Sequence, residues 1–163
     1  MPRKPAPPAL ENFGAWRKLL PKAAKVSDGA KLNRDRSKNS LKRVAYRYYC
    51  DLLEAGLMDK LHEHIRQRDG ARWDRRDDGE PGAQWVCRLF AKTEQTDARR
   101  KSRSRFSMEM ELAQANDIHP DLYLGFLYEA GPGELIEAKL KKKRKVYRWA
   151  DPYRRPGSPL LQD

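Results

Sequence analysis

The feature that most constrains the fold is a helical repeat of apolar residues between Leu41 and Leu53. Apolar side chains recur there at i, i+3, i+4 and i+7, which is the spacing of an amphipathic α-helix. Ser37 or Ser40 can cap the start of this helix, and Gly56 can close its end. The predicted buried stripe consists of Leu41, Val44, Ala45, Tyr48, Tyr49, Leu52 and Leu53. The side chains that lie off this stripe are Lys42, Arg43, Tyr46 and Arg47.

Segments on both sides of this helix also have helical patterns. Before it, Leu10–Leu20 is predicted to form a short helix that is followed by a loop over residues 21–36. After it, Leu57–Arg68 is predicted to pair with the first helix in a hairpin, with a tight turn at Gly56. Residues 69–82 combine Gly, Pro and charges of both signs, which is typical of a polar loop.

The second half of the chain continues the helical pattern. Trp85–Phe90 is an apolar run that fits a helical turn or a strand, and the helical interpretation, which continues through Lys92–Arg100, is favoured. Ser107 is the expected cap of a helix over Met108–Ala115. The next predicted helix begins at Pro120, buries Leu122, Tyr123, Phe126 and Leu127, and stops at Gly131. The last one covers Gly133–Tyr147 and contains an i,i+4 ion pair between Glu137 and Lys141.

These elements predict a mainly α protein, a small helical bundle with an extended Pro-rich basic N-terminal arm and an irregular C-terminal tail. The expected domains are a basic arm with one short helix (1–36), a helical nucleic-acid-binding domain (37–149) and an irregular tail (150–163). The longest apolar runs are a few residues, whereas a membrane span needs about 20. The only cysteines are Cys50 and Cys87, which excludes a disulfide scaffold and fits free thiols in an intracellular protein.

The chain is strongly basic, and its charges are grouped in blocks along the sequence. Both features indicate which class of partner it binds. The chain has 163 residues with 35 Lys and Arg against 23 Asp and Glu, a net charge of +12. A surplus of this size is the electrostatic footprint of a nucleic-acid binder. Basic blocks at 31–50, 88–105 and 139–155 alternate with acidic stretches, and residues 106–137 contain no Lys or Arg. The blocks either form a phosphate-facing basic face and an acidic face for a protein partner, or pair with each other inside the monomer.

Three clusters of cations are the candidate nucleic-acid contacts, because Lys and Arg neutralise phosphates and release counterions. The first cluster surrounds the start of the strongest helix and includes a tyrosine that could stack on an unpaired base: Arg34, Arg36, Lys38, Lys42, Arg43, Tyr46 and Arg47. The second cluster is Arg99, Arg100, Lys101, Arg103 and Arg105. The third interleaves cations with aromatic residues, as stacking platforms do: Lys141, Lys142, Lys143, Arg144, Lys145, Arg148, Trp149, Arg154 and Arg155.

The run Lys141–Val146 resembles a classical monopartite nuclear localisation signal and matches the core of the polyomavirus large-T signal. The resemblance covers these six residues alone, and Leu140 stands where such signals usually have a leading proline. It implies import into a nucleus. Without such a signal, the expected location is cytoplasmic, associated with a nucleoid or a ribonucleoprotein.

Two other kinds of site are weaker candidates. His62 and His64 lie near an acidic loop, but residues two apart on a helix point about 200° apart and cannot share a ligand face. No metal and no cofactor are therefore expected, and the chain has no Gly-rich phosphate-cradling loop. The hairpin at Gly56 invites a helix-turn-helix interpretation, but Leu57–Arg68 mixes charges of both signs and is poorly suited to a DNA groove.

The sequence therefore predicts a non-enzymatic, backbone-directed nucleic-acid-binding protein, a small structural subunit of a larger ribonucleoprotein or nucleoprotein complex. RNA is slightly favoured over single-stranded DNA. Partner protein subunits are expected to contact the acidic segment 106–137. The alternatives are a sequence-specific DNA-binding regulator built on the helical hairpin and, less favoured, a metal-dependent nuclease.

Overall fold

A computed structural model describes the chain at residues 34–70, 81–90, 97–142 and 146–161. The chain divides into two compact units, Met1–Leu41 and Lys42–Asp163. The described part of the first unit is the beginning of one helix. Several sequence predictions lie outside the described residues: the helix Leu10–Leu20, the loop 21–33, and most of the polar loop 69–82.

The described residues are mainly helical. The α-helices are α1 (Arg34–Glu54), α2 (Met58–Asp69), α3 (Gly82–Phe90), α4 (Asp97–Ala115), α5 (Tyr123–Ala130) and α6 (Gly133–Lys141). Short 3-10 helices cover Pro120–Leu122, Arg148–Tyr153 and Pro159–Leu161. This part of the chain contains no strand, so the predicted mainly α class is confirmed. No helix in it is both long enough and apolar enough to cross a membrane.

The predicted turn at Gly56, between α1 and α2, is confirmed. The backbone of Gly56 has a φ of +65°, a conformation that glycine adopts without steric cost. The N–H of Leu57 donates to the carbonyl of Leu52 at 3.0 Å, and that of Gly56 to the carbonyl of Leu53 at 3.2 Å. These two bonds satisfy carbonyls that the helix end would otherwise leave without partners.

Helix α4 is the element against which most others pack. It contacts α3, α5 and α6, and α3 in turn contacts α2. Met110, Leu112 and Ala113 of α4 are buried, as are Val86 of α3 and Ile136 of α6. These residues form the core of the Lys42–Asp163 unit.

Two helices begin earlier than predicted. Helix α1 begins at Arg34, so Arg34 and Arg36 belong to a helix and not to a loop. Helix α4 begins at Asp97 and includes the basic run 99–105; Ser107 is buried inside it and does not cap it. Neither stretch contains Gly or Pro to interrupt a helix, and in α4 the basic run favours a helix further, because Arg and Lys are good helix formers.

The last helix ends earlier than predicted, at Lys141 and not at Tyr147. The N–H of Tyr147 donates to the side-chain Oδ1 of Asn116 at 2.9 Å, so this N–H is not available for a helical bond. Residues 146–161 contain two short 3-10 helices and no α-helix, and Ala150, Arg154 and Ser158 are buried. The compact unit Lys42–Asp163 therefore includes this segment.

The guanidinium of Arg154 holds this C-terminal segment in place. It is 5% exposed. One nitrogen donates to the backbone carbonyl of Asn116, another to the carbonyl of Tyr147 at 2.5 Å, and Nε donates to Asp151 Oδ1 at 2.8 Å. A buried charge is tolerated only when it is paired and hydrogen-bonded, and these bonds meet that requirement.

The chain turns sharply where α4 ends, next to Arg154. Asp117 has a φ of +53°, which Asp tolerates better than most residues, and the N–H of Ile118 donates to the carbonyl of Ala113 at 3.1 Å. The carbonyl of Asp117 accepts from the N–H of Arg155 at 2.9 Å. The buried side chain of Asn116 donates to the carbonyl of Leu112 at 2.9 Å. The turn thus presents backbone groups that the C-terminal segment binds.

Replacing Arg154 by Ala is expected to lower the free energy of unfolding by about 3 kcal/mol, because buried carbonyls and Asp151 lose their donor. The measurement is the midpoint of urea-induced unfolding. The neighbouring Arg155→Ala is the matched control, since its half-exposed ion pairs contribute at most about 1 kcal/mol. Equal losses in the two variants would contradict the role given to Arg154.

Candidate nucleic-acid interface

Tyr46 is not available to stack on a base. Its side chain is 1% exposed, and its ring stacks on that of Tyr123 with centroids 4.1 Å apart. Its hydroxyl donates to the carbonyl of Ile118 at 2.9 Å. Burial raises the pKa of Tyr46 well above its usual value. Tyr46 therefore has a structural role in the described fold.

The buried arc of α1 is wider than the predicted stripe. Tyr46 and Cys50 are buried with Tyr49, whereas Leu53 is 38% exposed. Tyr46, Tyr49, Cys50 and Leu53 themselves follow the i, i+3, i+4, i+7 spacing, so the sequence contains a second apolar stripe beside the first. That spacing is the signal that could have placed Tyr46 in the core.

Two of the predicted α1 cations pair with carboxylates. Lys42 Nζ lies 2.8 Å from Glu109 Oε2 and 4.7 Å from the centre of the Phe106 ring. Arg47 forms an ion pair with Asp121. Arg43 is exposed. The other three predicted contacts lie on the first turns of α1, with side chains outside the described part: Arg34, Arg36 and Lys38.

The second cluster lies on helix α4. Arg105 is exposed, and its side chain lies against Gly133 at the start of α6, where an added Cβ would stand 2.6 Å from Arg105 Nε. Arg103 is half-buried. The remaining members occupy the first turns of the helix, with side chains that are not described: Arg99, Arg100 and Lys101.

The third cluster is divided between surface and core. Lys142 and Arg148 are exposed, and Lys141 forms the predicted pair with Glu137, with Nζ and Oε1 2.6 Å apart. Arg155 pairs with Glu54 and Asp117. The run of Lys143, Arg144 and Lys145 lies outside the described residues, as does most of the resemblance to a localisation signal.

Two members of the third cluster have structural roles in the described fold. Arg154 is buried in the hydrogen-bond network described above. Trp149 is half-buried and stacks on Phe126, with centroids 5.2 Å apart and planes 14° apart. Lys139 Nζ lies 5.2 Å from the centre of the Trp149 ring and donates to the carbonyl of Ala130. Burial and the nearby charge of Lys142 lower the pKa of Lys139.

The acidic segment supplies the carboxylates that pair with these cations. Glu109, Asp117, Asp121 and Glu137 each bind one cation of the predicted interface. At these four positions the basic and acidic blocks pair inside the monomer. Sequence periodicity did not reveal this, because the partners lie far apart in the chain, except for Glu137 and Lys141.

The described residues include part of the groups considered for a metal site and for groove binding. They contain no group of three or more His, Cys, Asp or Glu side chains that could hold a metal ion. The His62 ring stacks on Trp85 at 4.2 Å. Cys50 and Cys87 are buried, and burial raises the pKa of the Cys50 thiol. The exposed residues of α2 carry mixed charge: Asp59, Lys60, Glu63, Arg66 and Gln67.

Comparison of the chain with protein-family models, curated proteins and solved structures finds no match. The function is therefore argued from the residues themselves. The exposed cations that the structure describes in the three predicted clusters are Arg43, Arg105, Lys141, Lys142 and Arg148.

Tyr46→Phe is expected to lower the free energy of unfolding by about 1 kcal/mol, because the bond to the Ile118 carbonyl is lost while the stacked ring remains. The same variant should bind nucleic acid with the affinity of the wild type, since the hydroxyl does not reach solvent. Urea unfolding and an electrophoretic mobility shift measure the two effects. A loss of nucleic-acid affinity with unchanged stability would contradict the structural role.

Proposed function

We propose that the protein is a non-enzymatic binder of nucleic-acid backbones and a small subunit of a larger nucleoprotein, with RNA favoured over single-stranded DNA. The proposal rests on the distribution of positive charge along the sequence. Residues 1–41 contain ten cations and three carboxylates. Residues 99–105 and 139–148 contain five and seven cations, respectively, and no carboxylate.

Internal pairing sharpens this proposal. Lys42, Arg47 and Arg155 form ion pairs with carboxylates of the fold. These pairs largely neutralise the three positive charges. The exposed Arg105 and Lys142 belong to blocks without local carboxylates. Because each phosphate that a cation neutralises releases a counterion, such blocks add affinity that depends on salt and not on base sequence.

Binding to the nucleic-acid backbone, without base stacking, is consistent with the contacts that the aromatic residues make in the described part of the chain. Base stacking needs exposed rings beside cations. The two predicted stacking residues stack on protein side chains instead: Tyr46 on Tyr123, and Trp149 on Phe126. The remaining chemistry of the clusters is charge, which recognises phosphates without reading bases.

Purification of the full chain without nuclease is expected to yield protein with bound nucleic acid, visible as a raised ratio of absorbance at 260 nm to that at 280 nm. RNase and DNase treatment of separate portions then identifies the polymer, and RNase is expected to remove it. Protein free of nucleic acid that also fails to bind added RNA or DNA at low salt would contradict the proposed function.

Binding is expected to weaken steeply between about 50 and 200 mM salt, on the order of a thousandfold if about six phosphates are contacted. Replacing Arg105 and Lys142 by Ala should reduce the slope of log K against log salt by about 1.5, since each lost contact removes about 0.7–0.9. Lys60→Ala with Arg66→Ala on α2 removes the same charge from exposed positions outside the clusters. Equal slopes for the two double variants would show that only net charge matters and would remove these clusters from the interface.

A further inference from the structure

The outer face of helix α5 carries an aromatic side chain that packs against nothing in the described chain. Tyr123, Phe126 and Ala130 point into the core. On the opposite side, Tyr128 is 93% exposed. A monomer gains nothing from so large an exposed ring, which is the type of residue enriched at protein interfaces.

A second tyrosine lies beside it. Tyr153 packs on Gly125, where an added Cβ would stand 3.1 Å from Tyr153 Cε1. Its hydroxyl donates to Glu129 Oε2 at 2.5 Å, and this bond raises the pKa of Tyr153, so the hydroxyl stays protonated. Gly125 is three residues before Tyr128, so the two residues are neighbours on the surface of α5. The ring of Tyr153 packs on the other side of Gly125. Two rings thus flank a strip of backbone without a side chain.

The charge around these rings is negative. Glu129 is exposed, and its carboxylate accepts a hydrogen bond from Tyr153. Asp121 lies in the 3-10 helix that precedes α5; its side chain is 56% exposed, but its charge is balanced by that of Arg47. The segment 106–137 that supplies both carboxylates has no Lys or Arg. Leu122, which is 42% exposed, adds an apolar edge.

We propose that this α5 surface, formed by Leu122, Gly125, Tyr128, Glu129 and Tyr153, binds an arginine side chain from a basic segment of a partner protein. A guanidinium stacks on an aromatic ring and donates to a carboxylate at the same time, which a compact ammonium group does less well. Phosphate is a less suitable ligand here, because the exposed carboxylate of Glu129 repels it. The inference goes beyond the proposed function and does not depend on it.

The test is a titration of the full chain with a synthetic octa-arginine peptide at about 50 mM salt, followed by amide chemical shifts in NMR spectra. Saturable shifts are expected at Gly125, Tyr128 and Glu129, and octa-lysine should bind more weakly. Tyr128→Ala should weaken binding by about three- to fivefold, the loss of one exposed cation–π contact. Glu129→Gln should also weaken it, since Gln keeps the acceptor for Tyr153 but removes the charge.

Two matched controls make the result specific. Tyr128→Phe keeps the ring and should bind as the wild type does. Leu161→Ala removes another exposed apolar side chain, 46% exposed, from outside the acidic segment and should also leave binding unchanged. Unchanged affinity in Tyr128→Ala, or shifts at other acidic residues without shifts at Gly125 and Tyr128, would overturn the proposal. RNA binding of Tyr128→Ala, measured separately, should equal that of the wild type, so failure here is distinct from failure of the proposed function.

Discussion

The buried guanidinium of Arg154 is the interaction on which the C-terminal part of the fold depends. It binds backbone carbonyls at Asn116 and Tyr147 and thereby fixes residues 146–161 against the end of α4. That placement in turn brings Trp149 onto Phe126 and Tyr153 onto Gly125. A charged residue near the end of the chain thus organises apolar and aromatic contacts around α5, because its desolvation is tolerated only if every donor finds an acceptor.

Charge in this protein serves two different purposes. Inside the Lys42–Asp163 unit, cations such as Lys42 and Arg155 hold elements together through carboxylates of the acidic segment or of α1. Elsewhere, cations are concentrated in stretches without local carboxylates, and these support the proposed binding of phosphates. The net charge of +12 alone does not distinguish the two. Only the pairing in three dimensions shows which positive charges are neutralised within the fold.

Local signals in the sequence were sufficient for much of the helical framework. The apolar repeat of α1, the turn at Gly56 and the stop at Gly131 all appear where periodicity and glycine place them. The starts of α1 and α4 were missed, because a polar, cation-rich stretch shows no apolar repeat even where its residues favour a helix. The end of α6 was missed because the charge pattern continues past Lys141, whereas the backbone becomes extended at Lys142 and the N–H of Tyr147 bonds to the distant side chain of Asn116.

In the candidate interface, too, some features follow from the local sequence and others depend on contacts between distant residues. The sequence by itself determined the mainly α class, the turn at Gly56 and the segregation of basic from acidic blocks, because these follow from residue type and short-range spacing. Tertiary structure alone decided that Tyr46, Trp149 and Arg154 are structural and that Arg105 and Lys142 are exposed. The reason is that burial and ion pairing depend on which residues, distant along the chain, pack against one another, and a helical repeat specifies only the face of one helix.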